Sequence, residues 1–238
     1  MSNHEINVAK DPNQYDSGAF DFEKWGSLSD PTRMFIADAL QSKIGDLRGK
    51  RVLDIGSGQG SFFRLWLDLG AREIVGIEPS KKNIEISEKH FPNISVFNGT
   101  LEQFQSIGKF DTVMAIMVFE HLEDIEGALR KIKDLLAPTG QIYLVSMALE
   151  YTLSPDYYYK METENLKDGS VIATIHRPEG VLRDFLRPVH VFLDAAESAG
   201  FRNIEHIPLL PTDTLCNDAP RYAQYRKVPV RQLFILGF

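Results

Sequence analysis

The chain has 238 residues, of which 43% are hydrophobic, and it carries a net charge of −7 at pH 7. These values suit one well-packed domain, and they argue against broad electrostatic binding to nucleic acid or to an anionic membrane, since both require clustered lysine and arginine. The single cysteine, Cys216, excludes an intrachain disulfide and a cysteine-based metal cluster, so no metal site is predicted.

Residues 1–45 are predicted to form a lid followed by a helix. The lid is suggested by four aromatic residues in a polar, turn-rich segment, namely Tyr15, Phe20, Phe22 and Trp25. Asp30-Pro31 predicts the start of the helix, with the aspartate as N-cap. The first residues contain no apolar secretion signal, and no run approaches the 18 apolar residues of a membrane span. We therefore expect a cytoplasmic protein without membrane insertion.

Residues 46–148 alternate short apolar runs with amphipathic segments. The predicted strands are 51–56, 73–78, 94–99, 110–119 and 140–148, and the predicted helices are 61–70, 79–91 and 124–137, with a short helical stretch ending at Phe104. Strands that are apolar on both faces and separated by helices are typical of a parallel sheet covered on both sides.

The alternation ends at residue 149. Residues 149–187 are predicted to form a small substrate cap with one strand at 171–176. Residues 188–238 contain a helix at 188–199 and two strand candidates, 201–209 and 230–238. The link between these strands holds three prolines, which disfavour a crossover helix, so the two strands must pair antiparallel.

A glycine-rich turn follows the first predicted strand. VLDIGSGQG places Gly56, Gly58 and Gly60 where glycine permits a tight bend and close approach of a ligand to the backbone. The third glycine comes one position too early for the dinucleotide fingerprint, and the Gly-Lys-Ser/Thr ending of a P-loop is absent. The second strand ends in Glu78, where a carboxylate can accept hydrogen bonds from both hydroxyls of a ribose. The structural alternative is a tight strand-to-helix connection.

On these residues the chain resembles the class I S-adenosylmethionine-dependent methyltransferases of the small-molecule branch. VLDIGSGQG matches their first motif, with Asp54 two residues before the first glycine, and GIEPS matches their second. FDTVMAIMVFEHLED and LLAPTGQIYLVS match the segments around the fourth and fifth strands. The resemblance implies an α/β fold, namely a Rossmann-like, doubly wound, mostly parallel seven-stranded sheet with an antiparallel C-terminal strand and a small cap insertion, all in a single domain.

The resemblance also implies S-adenosyl-L-methionine as the cofactor and a set of residues that contact it. These are Asp54, Gly56, Ser57, Gly58, Glu78, Pro79, Thr100, Leu101, Ile116 and Met117. Backbone at Gly56 and Gly58 would hold the methionyl part, Glu78 the ribose and Pro79 the adenine face. The family's aspartate after the third strand is missing here, which leaves a contact from Thr100 or Leu101 for the adenine edge.

Candidate residues for chemistry and acceptor binding follow the fourth strand and fill the insertion. His121 lies at the carboxyl edge of the sheet and is a candidate general base, whereas the structural alternative is that Glu120-His121 only caps a helix or binds backbone. A second group could bind an anionic or polyhydroxylated acceptor or form a solvated loop, and it comprises His176, Arg177, Arg183, Asp184, Arg187 and His190. Tyrosines 157–159 could line an aromatic acceptor or pack in the cap.

The predicted function is S-adenosylmethionine-dependent methyl transfer to a small-molecule acceptor through an oxygen, nitrogen or carbon nucleophile, by in-line displacement. Nucleic acid is not expected as a partner, because of the charge and because the segment 117–120 lacks the Asn/Asp-Pro-Pro-aromatic tetrapeptide of nucleic-acid methyltransferases. The alternatives are a nicotinamide-dependent oxidoreductase on a related fold and a non-catalytic subunit that binds S-adenosylmethionine.

Overall fold

The computed structural model describes residues 28–178 and 180–238. Helix α1 (Pro31–Ile44) begins as predicted, because the Asp30 side chain accepts hydrogen bonds from the backbone N–H groups of Thr32 and Arg33, each at 3.0 Å. The predicted lid aromatics, Tyr15 to Trp25, lie outside the described residues. No helix in the described ranges is long and apolar enough to cross a membrane.

The central part of the chain alternates strands and helices as predicted. The elements are β1 (Arg51–Ile55), α2 (Phe63–Asp68), β2 (Glu73–Glu78), α3 (Lys81–His90), β3 (Ser95–Asn98), β4 (Phe110–Ile116), α4 (Ile125–Leu135) and β5 (Leu136–Met147). Three details were predicted wrongly. β5 starts at Leu136, directly after α4, and β4 ends at Ile116 rather than at residue 119, since Phe119–His121 forms a 3₁₀ helix. The stretch before Phe104 forms turns rather than a helix.

The remaining elements follow β5. They are α5 (Leu149–Thr152), β6 (Lys160–Asn165), β7 (Val171–Arg177), β8 (Gly180–Leu186), α6 (Val189–Ala199), β9 (Asn203–Leu209), α7 (Asp213–Asp218) and β10 (Arg231–Gly237). The link between β9 and β10 contains only the six-residue α7 and a 3₁₀ helix at Pro220–Tyr225, in agreement with the prediction that no full crossover helix fits there.

Seven strands form one sheet in the order β3-β2-β1-β4-β5-β10-β9. β1 to β5 pair in parallel, whereas β10 runs antiparallel to both β5 and β9. This is the predicted Rossmann-like architecture. The chain proceeds outward from β1 to β3 and then returns to place β4 on the other side of β1. The carboxyl ends of β1 and β4 therefore form the switch point at which open α/β sheets bind ligands.

The two faces of the sheet are covered by separate hydrophobic clusters. In β5, Tyr143 and Val145 belong to the cluster under α1, whereas Ile142 and Leu144 belong to the cluster under α4 and α6. This alternation is what a strand buried on both faces produces, since successive side chains point to opposite sides. The rigid sheet fixes the loops at its carboxyl edge.

The insertion contains more β-structure than predicted. β6, β7 and β8 form a three-stranded antiparallel sheet with its own apolar cluster, where a single strand at 171–176 was expected. β6 has the sequence KMETEN and is almost entirely exposed, so it offers no apolar alternation from which a strand could be predicted. It is ordered by pairing with β7 rather than by burial.

Candidate active site

A cavity of about 330 Å³ lies at the carboxyl ends of β1 and β4. Its volume falls within the range of roughly 300–1,000 Å³ that is typical of small-molecule sites. The walls come from several parts of the chain: the start of α1, the glycine turn after β1, the segment after β4, the insertion, and the β9–β10 link with the start of β10. Asn83 of α3 and Met147 of β5 also contribute. Because these parts are distant in sequence, the cavity exists only in the folded chain.

The glycine turn has backbone geometry that favours glycine. Gly56, Gly58 and Gly60 have φ angles of 63°, 55° and 80°, in the left-handed region that other residues rarely adopt. A Cβ at Gly56 would lie 2.5 Å from Cγ2 of Val118, whereas a Cβ at Gly58 would have no protein atom within 4 Å. Gly56 is therefore required by packing, and Gly58 presents its backbone to the cavity.

Glu78 is buried at the tip of β2 and supports the glycine turn. Its carboxylate accepts hydrogen bonds from the backbone N–H groups of Gly58 and Ser80, at 2.9 and 3.0 Å, and from Nδ2 of Asn83 at 3.3 Å. Burial raises the pKa of Glu78 above its ordinary value, although these donors oppose the shift. Gly58 and Asn83 line the cavity while Glu78 lies behind them. Ribose binding by Glu78 stays a prediction.

Three further predicted cofactor residues are not part of the cavity wall: Pro79, Thr100 and Leu101. Leu101 is buried in the cluster under α4, and the Thr100 backbone N–H donates to Oε1 of Gln103 at 2.9 Å. Their predicted role at the adenine edge also stays a prediction.

Asp54 lines the cavity with a buried carboxylate. Its Oδ2 accepts a hydrogen bond from Nε1 of Trp66 at 2.8 Å. Burial raises the pKa of Asp54 to about 7, since the indole donor compensates only part of the desolvation. The partner was not predicted, because Trp66 reads as part of the apolar face of α2.

Ile116, the last residue of β4, and Met117 after it both line the cavity, and their contact with the cofactor stays a prediction. Met117 has a φ of 58°, and it is the one non-glycine residue with positive φ among those described. Its backbone N–H still donates to the Val145 carbonyl at 2.8 Å, which holds the turn in place. Such a conformation costs roughly 1–2 kcal/mol and is found preferentially at functional sites.

Glu120 and His121 have different roles although they are adjacent. The Glu120 carboxylate is buried and accepts hydrogen bonds from Ser146 Oγ at 2.9 Å and from the Met147 backbone N–H at 2.6 Å. Glu120 thus has the structural role that was the alternative to a catalytic one, because it binds backbone. His121 lines the cavity, and its Nδ1 lies 2.9 Å from Oδ1 of Asp184 in β8.

The protonation of His121 is set by opposing effects. Burial lowers the pKa of His121, but the charge and hydrogen bond of Asp184 raise it by more than burial lowers it. The net pKa therefore lies above the ordinary histidine value. The charge of Glu120 also raises this pKa, and that of Arg177 lowers it.

Of the six polar residues grouped in the insertion and after it, only Arg177 and Asp184 line the cavity. Arg187 is buried and donates to the backbone carbonyls of Phe119, Leu122 and Glu123, so it fixes the segment after β4 rather than a ligand. His176 pairs with Glu162, and His190 contacts the Asp168 carbonyl. Neither alternative, an acceptor-binding group or a solvated loop, therefore describes these residues as one set, and acceptor binding by Arg177 stays a prediction.

Tyrosines 157–159 all line the cavity, together with residues that sequence patterns did not single out. The additional members include Thr32 and Arg33 of α1, and Arg221, Tyr222 and Arg231 from the end of the chain. No local spacing links these positions to the glycine turn, so only the folded structure brings them together.

The fold and this site define an α/β protein with a ligand cavity beside a glycine turn and an acidic strand end. A family model described as a methyltransferase domain matches residues 32–222. The chain belongs to this family and contains a methyltransferase domain. The match favours the methyltransferase prediction over the nicotinamide alternative.

Individual relatives agree on the class but differ in acceptor. A ubiquinone biosynthesis O-methyltransferase of Azorhizobium caulinodans is 33% identical over 129 residues, which is 49% of this chain and 50% of that protein. A tRNA U34 carboxymethyltransferase of Ruthia magnifica is 33% identical over 113 residues, 45% of this chain and 36% of that protein. The chain therefore spans half or less of the length of these relatives.

A solved S-adenosylmethionine-dependent methyltransferase from Mesorhizobium loti shares the fold, with a TM-score of 0.67 at 22% identity over 84% of this chain and 95% of that one. S-adenosylmethionine is the cofactor of this class. The cavity fits it in two respects: the position of a Gly58 Cβ is clear of protein atoms, and the buried Ser57 Oγ has no hydrogen-bond partner in the described residues.

Proposed function

We propose that this methyltransferase acts on a small-molecule acceptor that His121 deprotonates during methyl transfer. The observation that supports this proposal most directly is that one cavity is lined by both the glycine turn, at Gly56 and Gly58, and the His121–Asp184 pair. A group that would bind the cofactor and a group that could take a proton thus face the same cavity.

The cofactor supplies a methyl group that is already activated by its sulfonium centre. The contribution of the chain is to align the nucleophile and to exclude water. A neutral His121 that donates from Nδ1 to Asp184 has its basic lone pair on Nε2, which is the atom that would accept the acceptor's proton. The buried Asp184 carboxylate then stabilises the imidazolium that forms.

The site residues have distinct proposed roles. The backbone at Gly56 and Gly58, with Ser57 and Asp54, would hold the methionyl part, and Ile116 and Met117 would contact the cofactor from the end of β4. Glu78 would bind the ribose through its carboxylate, and the same carboxylate would support the glycine turn by accepting from the Gly58 N–H. Pro79, Thr100 and Leu101 would lie at the adenine.

A small acceptor suits the size of the cavity and the acidic chain, with its net charge of −7. The similarity to a ubiquinone biosynthesis O-methyltransferase supports the same choice, and oxygen is then the first nucleophile to test. The similarity to a tRNA U34 carboxymethyltransferase supports the competing possibility, that the acceptor is tRNA.

The test measures transfer of tritium from S-adenosyl-[methyl-³H]methionine to a panel of phenols, amines and carboxylic acids and, in parallel, to total tRNA. We expect turnover with members of the small-molecule panel and an approximately hundredfold loss in His121→Gln. His176→Gln is the matched control, because His176 is exposed on the insertion and does not line the cavity. Transfer to tRNA alone, or full activity of His121→Gln, would overturn the proposal.

A further inference from the structure

We propose that the acceptor is an aromatic acid whose carboxylate binds to Arg231 and Arg177. This inference rests on the proposed function and adds the chemical class of the substrate. It starts from an imbalance in the cavity wall: the carboxylates that line the cavity each have a partner within the chain, whereas Arg177, Arg221 and Arg231, which also line it, form no ion pair among the described residues.

The carboxylates are accounted for one by one. Asp30 caps α1, Asp54 accepts from Trp66, Glu120 accepts from Ser146 and Met147, and Asp184 pairs with His121. Each of these carboxylates has at least one partner, although the buried Oε2 of Glu120 has no hydrogen bond within the described residues, and none of the four forms an ion pair with an arginine that lines the cavity. Among the described residues, no ion pair involves Arg177, Arg221 or Arg231.

Arg231 is the strongest element of the argument. It is the first residue of β10, where its backbone pairs with Met147 and Leu209, and only 7% of its surface is exposed. Nη1 donates to the neighbouring Val230 carbonyl, but Nε has no hydrogen-bond partner within the described residues. A buried guanidinium without a counter-charge is costly, and an anion bound in the cavity would offset that cost.

Arg177 provides a second cation of the same kind. It lies at the end of β7, its guanidinium carbon is 5.3 Å from the centre of the Tyr159 ring, and its buried Nε also has no hydrogen-bond partner in the described ranges. A carboxylate is a suitable ligand for such groups, because the planar arginine fork matches the two oxygens of a carboxylate.

The tyrosines around these arginines indicate the rest of the acceptor. Tyr157, Tyr158, Tyr159 and Tyr222 line the same cavity, and Arg221 lies 5.1 Å from the ring centre of Tyr158 and 4.9 Å from that of Tyr222. Ring faces and edges favour an aromatic body. The acceptor would thus carry its carboxylate at the arginines and its nucleophilic group at His121.

The experiment uses the full chain saturated with S-adenosylhomocysteine and three acid–amide pairs of the same shape: benzoate and benzamide, 4-hydroxybenzoate and 4-hydroxybenzamide, and 4-hydroxyphenylacetate and its amide. Calorimetry should show that at least one acid binds tenfold or more tightly than its amide. Arg231→Gln and Arg177→Gln should each reduce this preference at least fivefold, and the affinity for S-adenosylhomocysteine should change less than twofold.

Arg226→Gln is the control, since Arg226 lies in the same link, pairs with Asp213 and is not part of the cavity. Should Arg231→Gln fail to fold, as judged by circular dichroism and loss of S-adenosylhomocysteine binding, Arg177→Gln carries the test.

Equal affinity for acids and amides in all pairs, or a preference that survives the substitutions, would overturn the inference. Tritium transfer to neutral phenols alone would do so while leaving the proposed function intact, whereas transfer to no small molecule would refute the proposed function itself.

Discussion

Nδ1 of His121 lies 2.9 Å from Oδ1 of Asp184, and this contact joins the segment after β4 to the inserted sheet. The Asp184 side chain is 3% exposed, so its charge acts on the imidazole with little screening by solvent. The insertion is thus coupled to the site through a titratable pair, and replacing either partner should change how activity depends on pH.

Asp184→Asn should lower kcat roughly tenfold and shift the rising limb of the pH–rate profile to lower pH. In the wild type the carboxylate raises the pKa of His121, so removal of its charge lets that pKa fall, and the neutral base then persists at lower pH. The measurement is kcat/KM between pH 5 and 9. Asp156→Asn, an exposed change on the same insertion, should leave the profile in place. An unmoved limb in Asp184→Asn would show that His121 does not set it.

Glu78→Ala should weaken binding of S-adenosylmethionine by about 2–3 kcal/mol, in the range of charge-assisted hydrogen bonds. The variant loses the proposed ribose acceptor and also the group that holds the Gly58 N–H. Calorimetry on the variant gives the value. Glu73→Ala is the control, because Glu73 lies at the other end of β2 and pairs with Arg51 outside the cavity. A folded Glu78→Ala with unchanged affinity would remove Glu78 from the site.

Gly58→Ala should keep the fold but reduce cofactor affinity at least tenfold. The added Cβ meets no protein atom within 4 Å, so the cost to folding is limited to the left-handed backbone, about 1–2 kcal/mol. The methyl group would occupy space that the cofactor needs. Gly49 also has a positive φ, 77° compared with 55° at Gly58, and no atom within 4 Å of an added Cβ, but it lies outside the cavity, so Gly49→Ala controls for backbone strain. Equal cofactor affinity in the two variants would mean that the Gly58 turn serves only the chain connection.

The sheet and the glycine turn could be predicted from the sequence because both depend on local patterns. Apolar runs such as EIVGIE at 73–78 indicate buried strands, and three glycines within five residues indicate a turn with positive φ. The polar β6 carries no such pattern, so the inserted sheet was predicted only in part.

The acceptor side of the site depends on contacts between distant positions. His121 was a candidate from its place after β4, but its partner Asp184 lies 63 positions further along the chain. Arg231 reads as the start of a C-terminal strand, and only the pairing of β10 with β5 brings it to the cavity. Such tertiary relations leave no spacing that a single sequence can reveal.

Asp54→Asn should stabilise the protein at alkaline pH while weakening cofactor binding. The pKa of Asp54 is about 7 in the folded protein, above that of an unfolded aspartate. Burial of this group therefore lowers the free energy of unfolding by an amount that increases as pH rises from about 4 to 7. The asparagine retains an oxygen that can accept from Trp66. Relative to the wild type, the variant should therefore gain roughly 2–3 kcal/mol in the free energy of unfolding between pH 5 and pH 8.

Urea denaturation at the two pH values measures this gain, and calorimetry measures the affinity for S-adenosylmethionine. Asp68→Asn is the matched control, because Asp68 is exposed on α2, where it pairs with Arg64, and its removal should give no comparable pH-dependent gain. A pH-independent difference between Asp54→Asn and the wild type would mean that Asp54 is ionised in the folded protein throughout this range. A gain in stability together with a loss of affinity would instead show that a buried carboxylate is retained at this strand end for binding, at the expense of the stability of the fold.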